Sequence, residues 1–457
     1  MEKESFRVNL LVIGAGMTGL TAAAAAARRG LDVLVVEKAS EIGGSAALSE
    51  GYMWTAPTLE ALQWEDPDCD PVLCRALADH FPDGIEWVRS LGVELSDEIT
   101  GIYHIGRGYQ ADIGTYLARC KSVLEAAGGW ISTQVQVREL RQEEGRVTGA
   151  LALDRDGGEV EIAADWTLLA TGGFPADPEL RRTYLGPGAD HLLLRANPHS
   201  TGDGLRLGTS VGAQIAGGQG LYGHLIAAPL EAFEPKDYLN FAQLHSGYCL
   251  LVNRSGERFT DESLGDHVNN QAVLRQPEGR ALLIGDEYAR RTHVMSAYIK
   301  GMDVMDKLEF AGAAGANYAV AETFGALAQS AAGWGYDAAG VERTLANYVE
   351  SPPASLSPPS ERYSPALDEP PYFALEVQPA ITFPYAGLAT DIDGKVLGDD
   401  GPIEGLLAGG VDVGGVYKRG YAGALARGLV SGLRAALTAA GEPSWRSAAA
   451  VDDAQAP

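Results

Sequence analysis

The sequence is short of cations and of sulfur. Only 35 of its 457 residues are Lys or Arg, against 61 Asp or Glu, so the formal net charge is −26. So acidic a chain repels phosphate backbones and anionic headgroups, and neither nucleic acid nor a membrane surface is an expected partner. Four cysteines (Cys69, Cys74, Cys120 and Cys249) are too few and too scattered for a disulfide framework. Cys69 and Cys74 lie near each other, but no second pair or histidine cluster completes a set of ligands. No metal is therefore expected, and the thiols read as reduced, in a reducing compartment. A long unbroken apolar run is also missing. Residues 9–27 come nearest, and Gly14, Gly16 and Gly19 interrupt them. That segment reads as a buried strand followed by a buried helix. The expectation is a cytoplasmic protein with no cleaved leader and no membrane span.

What the chain has in excess is glycine, 57 residues, with no three-residue period and hence a use in turns and close backbone approaches. The first cluster says most. Val8–Ile13 reads as an apolar strand, Gly14–Gly19 as a turn, Leu20–Arg29 as an alanine-rich helix closed by Gly30, and Leu31–Val36 as a second strand ending at Glu37. Such a βαβ unit implies a parallel sheet covered by helices. Helices are predicted over 71–91 and 112–127, strands over 131–140, 146–154, 159–163 and 166–170, and a turn plus helix over 201–213. The pattern then changes to a strand over 248–253 and a long alanine-rich helical region over 312–350. Seven prolines in 351–371 read as an irregular crossing segment, strands return over 372–408, and a last helix runs from about 422 to 440. The length supports two or more domains. They are expected as a first domain in two parts, 1–219 and 352–441, an inserted second domain over 220–351, and a flexible tail over 442–457. No repeat of 20–50 residues is visible, which argues against a solenoid or propeller.

Gly14-Ala15-Gly16-Met17-Thr18-Gly19 is a G-x-G-x-x-G that follows a strand and opens a helix, with the acidic Glu37 eighteen residues beyond Gly19. In this setting the first glycine permits the turn, the second lets a pyrophosphate approach the backbone, and the third allows close helix–strand packing. The helix start stabilises phosphate charge, and Glu37 accepts ribose hydroxyls. Glu37-Lys38 followed by Gly43-Gly44-Ser45, then Thr171-Gly172-Gly173 after an apolar strand, Gly202-Asp203-Gly204, and Leu406–Ala408 with Gly409-Gly410, together resemble an FAD-binding pattern. With Val252-Asn253-x-x-Gly256-x-Arg258-Phe259-x-x-Glu262, the chain resembles the fumarate reductase/succinate dehydrogenase flavoprotein superfamily, which includes the 3-ketosteroid Δ1-dehydrogenases. The resemblance implies an α/β fold, with a Rossmann-type FAD-binding domain and an inserted α+β capping domain. It implies FAD contacts at Gly14, Gly16, Thr18, Gly19, Glu37, Lys38, Gly43, Gly44, Ser45, Val135, Ala170, Gly172, Asp203, Gly410, Asp412, Ala424 and Leu425. Val411 stands where this superfamily often has a glutamate, with Asp412 one step on. Residues 45–55 hold no histidine, so the FAD is expected to be non-covalent.

In this superfamily a substrate lies between flavin and cap, a hydride passes between a substrate carbon and the flavin, and a side chain moves a proton on the adjacent carbon. Fumarate reductases read a dicarboxylate with histidines and arginines. Here Asp266 occupies the place of the proton-donating arginine, and Thr382 and Phe383 occupy that of a His-His pair. Losing those cations disfavours a dianionic substrate. The ketosteroid dehydrogenase pattern fits better. Tyr421, before Ala422-Gly423-Ala424-Leu425, resembles the phenol that polarises a substrate carbonyl, with the Leu425 amide as second donor. Where that branch has a cap-domain tyrosine base, this chain has Asp266, expected in a loop, with His267 as the alternative base. An Asp can abstract a proton beside a carbonyl if burial raises its pKa toward the working range. Tyr103 is placed as a relay tyrosine, and His224, Phe383 and Tyr385 as substrate contacts. Three readings stay open: a dehydrogenase introducing a C=C bond beside the carbonyl of a cyclic ketone, an enone or enoate reductase fed by an external electron donor, and a non-catalytic flavin-binding protein. The expected partners are a small-molecule substrate and an external electron acceptor or donor.

Overall fold

The apolar run near the start of the chain divides where its glycines begin. In the computed structural model, which describes residues 4–442 apart from 231, 232, 300, 301, 303, 353 and 354, strand β1 (Glu4–Ile13) leads through Gly14 into helix α1 (Met17–Ala27) and on to strand β2 (Val33–Glu37). Small side chains explain α1: all of its residues are buried, so it is a core helix, not an amphipathic surface one. Strand β2 pairs in parallel with β1 and with β3 (Trp130–Thr133), while β1 pairs in parallel with β4 (Glu159–Leu169). The strand Gly401–Ala408, from the far end of the chain, pairs in parallel with β4 and completes the parallel core of the sheet. The helix Ala424–Ala439 packs on α1 at very short range. A Cβ at Gly432 would lie 2.7 Å from the Thr18 carbonyl oxygen.

The chain divides into two compact units: residues 1–180, 196–220 and 383–457, and residues 181–195 with 221–382. In the second unit, strand Tyr372–Ile381 pairs with Leu193–Leu194, Leu225–Ala227, Ala281–Gly285 and Tyr318–Ala321, and Leu250–Val252 extends the sheet on Ala281–Gly285. Alternation sorts its two faces. Leu251, Leu283, Phe373, Leu375 and Val377 join one core with Tyr238, Val273 and Leu308. Leu250, Val252, Leu282, Ile284 and Ala374 join another with Leu327, Val341 and Leu345 of the helices Phe324–Ala332 and Ala338–Glu350.

The expected bounds of the inserted domain need correction. The second unit runs on to Thr382 and also takes in 181–195, because Tyr372–Ile381 carries its sheet and Leu193–Leu194 pairs there. The helical stretch expected over 312–350 contains the strand Tyr318–Ala321, where β-branched and aromatic residues meet a sheet edge. The stretch 131–140 is two strands, split at Gln134 (φ 59°), whereas 159–169 is one. The predicted tail lies outside the described residues from 443 on.

The R-F-x-x-E stretch has a structural use. Arg258 and Glu262, with side chains 4% and 2% exposed, form an ion pair at 2.7 Å, and Glu262 also accepts the Leu251 N–H at 2.8 Å. Removing one partner of such a pair strands a buried charge. Glu262→Ala is expected to lower unfolding stability by about 3–5 kcal/mol in urea titration. His245 makes a separate prediction. It is buried, and burial together with the Lys307 charge pushes its pKa down to about 4. The unfolded chain binds this proton at higher pH than the folded one does. Stability is therefore fully present above about pH 6.5 and falls as pH drops toward 4, by at most about 3 kcal/mol from this group. In His245→Gln the stability slope between pH 4 and 6.5 should lose about one proton, measured by denaturation across that range.

Candidate active site

The turn after β1 is built to receive a dinucleotide. Gly14 has φ 108°, and a Cβ there would meet the Ala170 carbonyl oxygen at 2.3 Å; one at Gly19 would meet the Gly14 oxygen at 1.9 Å. Both are packing glycines. Gly16 differs: nothing lies nearer than 3.9 Å to a Cβ placed there, so its open face leaves room for a phosphate against the backbone. Helix α1 has neither a side-chain cap nor an acidic residue in its first turn, although every residue of that turn is buried, so its free N–H groups suit an anion. Each Glu37 carboxylate oxygen accepts one backbone N–H, from Ala15 at 2.9 Å and from Ala39 at 2.8 Å, which leaves lone pairs for ribose hydroxyls. The Gly43 N–H bonds the Ala15 oxygen, and the Val135 N–H bonds the Glu37 oxygen. Thr18 Oγ1 would lie 2.4 Å from a Cβ at Gly410. These features fit FAD.

Other expected cofactor residues are held within the protein. Lys38 Nζ binds Asp203 at 2.8 Å and Thr201 at 2.7 Å, and Ser45 Oγ accepts the Asn197 N–H at 3.0 Å. The Asp412 carboxylate accepts the Thr171 and Gly173 N–H groups and the Thr171 hydroxyl, at 2.5, 2.9 and 2.9 Å. Burial raises its pKa, and those bonds oppose the rise. Lys38, Ser45, Asp203 and Asp412 thus tie the loops 38–45, 171–173 and 197–203 together.

In the same unit an aromatic cluster gathers around Tyr421. Tyr103 stacks on Trp54 at 5.2 Å, and both present edges to Tyr421, at 5.7 and 5.4 Å. Phe383 and Tyr417 stand 6.1 and 6.2 Å from it. The Tyr421 oxygen accepts the Ala424 N–H at 3.0 Å, at the start of helix Ala424–Ala439. The Leu425 N–H follows in the same uncapped first turn. A phenol that accepts such a bond is a stronger donor through its own hydrogen. Tyr385 is displaced from its expected role. It is fully buried with its hydroxyl on the Gly420 oxygen at 2.6 Å, so it supports the loop before Tyr421 and offers no free hydroxyl. Trp54 and Tyr417 carried no motif and were missed.

The second unit brings His224, Asp266 and His267 together, all buried. Asp266 is not in a loop. After Gly265 (φ 108°) it is the first residue of helix α2 (Asp266–Leu274), where the helix start favours a negative charge. The buried Glu262 sets this up, since its carbonyl accepts both the Gly265 N–H and the Asn269 side chain. One Asp266 oxygen accepts His224 Nδ1–H, the other the Tyr298 hydroxyl at 3.1 Å, and His267 Nδ1 stands 3.7 Å away. His224 Nε2 then meets the Tyr222 hydroxyl at 3.1 Å. The rise in the Asp266 pKa that a direct base needs does not occur. Burial pushes it up, but the charge and hydrogen bonds of His224 and His267 outweigh that and hold the carboxyl well below its usual range. Burial keeps the His224 pKa below its ordinary value, against the pull of the Asp266 charge and hydrogen bond, so the two groups hold their charge and proton as one pair. His224 is thus the partner of Asp266. The residue missed here is Tyr298, only half-buried, which adds a phenol to this chain of donors. It lies 32 residues from Asp266 in sequence, and no motif marks it.

Among the described residues no group of three or more His, Cys, Asp or Glu is placed to hold a metal, and no helix is long and apolar enough to cross a membrane. The chain is 26% identical over 437 residues to a fumarate reductase (cytochrome) of Shewanella frigidimarina, covering 90% of this chain and 72% of that one. It is 27% identical over 567 residues to a 4-oxocyclohexanecarboxylate 2-dehydrogenase of Sinomonas cyclohexanicum, covering 98% and 94%. The solved structure of a 3-ketosteroid Δ1-dehydrogenase from Sterolibacterium denitrificans shares the fold, with a TM-score of 0.72 at 19% identity over 95% of this chain and 99% of that one. Residues 9–424 match the family described as the FAD binding domain, so the chain belongs to that family and is an FAD-dependent oxidoreductase acting on carbon–carbon bonds.

Proposed function

We propose that the chain is a dehydrogenase that introduces a C=C bond beside the carbonyl of a cyclic ketone. The observation that carries this reading is the Tyr421 hydroxyl, held by the Ala424 amide within a cluster of aromatic rings. Such a group donates to a neutral carbonyl oxygen and stabilises the charge that grows on it as the α proton leaves. The Leu425 N–H, in the same helix turn, is the second donor. FAD, when bound, supplies the hydride acceptor. The acid–base group offered by the second unit is Tyr298: a proton taken up at its oxygen is matched by transfer of its own hydrogen to Asp266, whose other oxygen stays bonded to His224. Asp266 is the terminal acceptor, and Tyr298 is the group of its chain that reaches outward, so the phenol relays the proton and the carboxylate receives it. Tyr222, His224, Asp266 and His267 are all buried, and Tyr298 is the more accessible end of their chain. The Sinomonas cyclohexanicum relative supports the reading, since its name places a dehydrogenation beside a ring ketone and its match spans nearly the full length of both chains.

The test is anaerobic bleaching of the flavin by cyclic ketones in a stopped-flow instrument. Tyr421→Phe is expected to slow it by about 10²–10³-fold, as for loss of one oxyanion donor. Tyr298→Phe and Asp266→Asn are each expected to slow it by about 10²–10⁴-fold, the usual contribution of a positioned base. Full activity in Tyr298→Phe with loss in Asp266→Asn would make Asp266 the direct acceptor. Reoxidation of the reduced protein by enones with no bleaching by ketones would reverse the assigned direction.

A further inference from the structure

Among the described residues Arg195 is a cation without an anion. In a chain with 61 acidic residues, this partly buried side chain makes no ion pair with any of those described. Its backbone is fixed, because the strand Leu193–Leu194 pairs with Ala380 and Ile381 and the Arg195 N–H bonds the Ile381 oxygen at 2.8 Å. The guanidinium carbon lies over the Tyr238 ring, 4.7 Å from its centre. That ring is fully buried, and its hydroxyl accepts the His224 N–H at 2.7 Å. Burial dominates both groups, lowering the pKa of His224 and raising that of Tyr238, and the charge of Arg195 adds to the first shift and opposes the second. A second group points to the same place. Thr382 Oγ1 lies beside the Tyr238 hydroxyl and is buried without a well-formed hydrogen bond. A buried hydroxyl held only loosely is costly, and a partly buried guanidinium without a counter-ion has its charge free for a ligand. An anionic oxygen set against the two groups would satisfy both.

We propose that Arg195 and Thr382 bind a carboxylate of the substrate, and that the substrate is therefore a cyclic keto acid and not a neutral ketone. This rests on the ketone dehydrogenase reading above and adds the substrate class. A guanidinium binds a carboxylate in its own plane with two parallel bonds, and one such group suits one negative charge. Arg195 thus differs from the several cations that a dicarboxylate needs. Asp266 is no competitor for the guanidinium, since its oxygens are already taken by His224 and Tyr298.

The test separates binding from turnover in the FAD-loaded protein. By calorimetry, cyclohexanecarboxylate should bind on the order of 10–100-fold more tightly than cyclohexanecarboxamide. Arg195→Met should remove most of that difference and leave the amide within about twofold, Arg195→Lys should restore part of it, and Thr382→Val should weaken the acid alone. In turnover, 4-oxocyclohexanecarboxylate should be preferred over its methyl ester by a similar factor, and Arg195→Met should abolish the preference. Equal binding of acid and amide overturns the proposal. So does a loss in Arg195→Met that is the same for both, or one confined to flavin retention. Ketones oxidised without preference for the acid would leave the dehydrogenase standing and remove the carboxylate site. Acid binding that depends on Arg195, with no ketone oxidised, would do the reverse.

Discussion

A carboxylate taken out of water must be met by donors, and the second unit is organised around two that are. Glu262 is paired with Arg258 and accepts the Leu251 amide, which ties the turn before helix α2 to the sheet. That turn delivers Asp266 to the first position of the helix, where His224 and Tyr298 take up its two oxygens. The two acids are four residues apart yet differ in kind. Glu262 closes its partner off in the core. Asp266 leads outward through a phenol, so the same desolvation that makes the first a closed structural bond leaves the second at the buried end of a hydrogen-bonded chain. Had Asp266 stood in a solvated loop, its hydrogen bonds would compete with water and its ionisation would carry little consequence.

The first unit solves the complementary problem with backbone instead of side chains. Two uncapped helix starts, at Met17 and at Ala424, present N–H groups with no acidic residue in the first turn. They can be brought close because both helices are made of small residues where they touch, with Gly432 against Thr18. One start suits a phosphate and the other a carbonyl oxygen. Backbone donors cannot swing away or change charge, so such sites cost little to organise at the moment of reaction. The price falls on the sequence, which keeps nine of the eleven residues of α1 to glycine, alanine and threonine.

How much of this was legible from residues alone follows the range of each interaction. The βαβ unit, Glu37 and the glycines at 14, 16 and 19 are local, and periodicity and spacing are enough to read them. Tyr421 was readable for the same reason, since the helix start that serves it lies three residues on. Asp266 was located but misjudged. Its helix begins at a glycine with positive φ and without a side-chain cap, so no start signal exists, and its pKa depends on His224, 42 residues away. Lys38, Asp203 and Asp412 carried the right motif but satisfy one another's loops. Tyr298 and Arg195 were invisible, because nothing in their neighbourhoods marks them and only the folding of distant strands gives them partners. The extension of the second unit to Thr382 was hidden likewise, since the proline-rich 351–371 reads as a boundary while the strand after it returns to the sheet.

The net charge can now be placed. A surplus of acids across a chain says that it stays soluble and avoids polyanions, and it says nothing about a site of a few residues. The rings that pack on Tyr421 are neutral, and around Asp266 one buried anion is held by His224 and the Tyr298 hydroxyl. Against that background a single guanidinium that makes no ion pair among the described residues carries more weight than one among many would. Two cations would hold a dianion whatever its shape. One cation suits one carboxylate, and leaves the rest of a bound molecule to be held by neutral groups and ring surfaces.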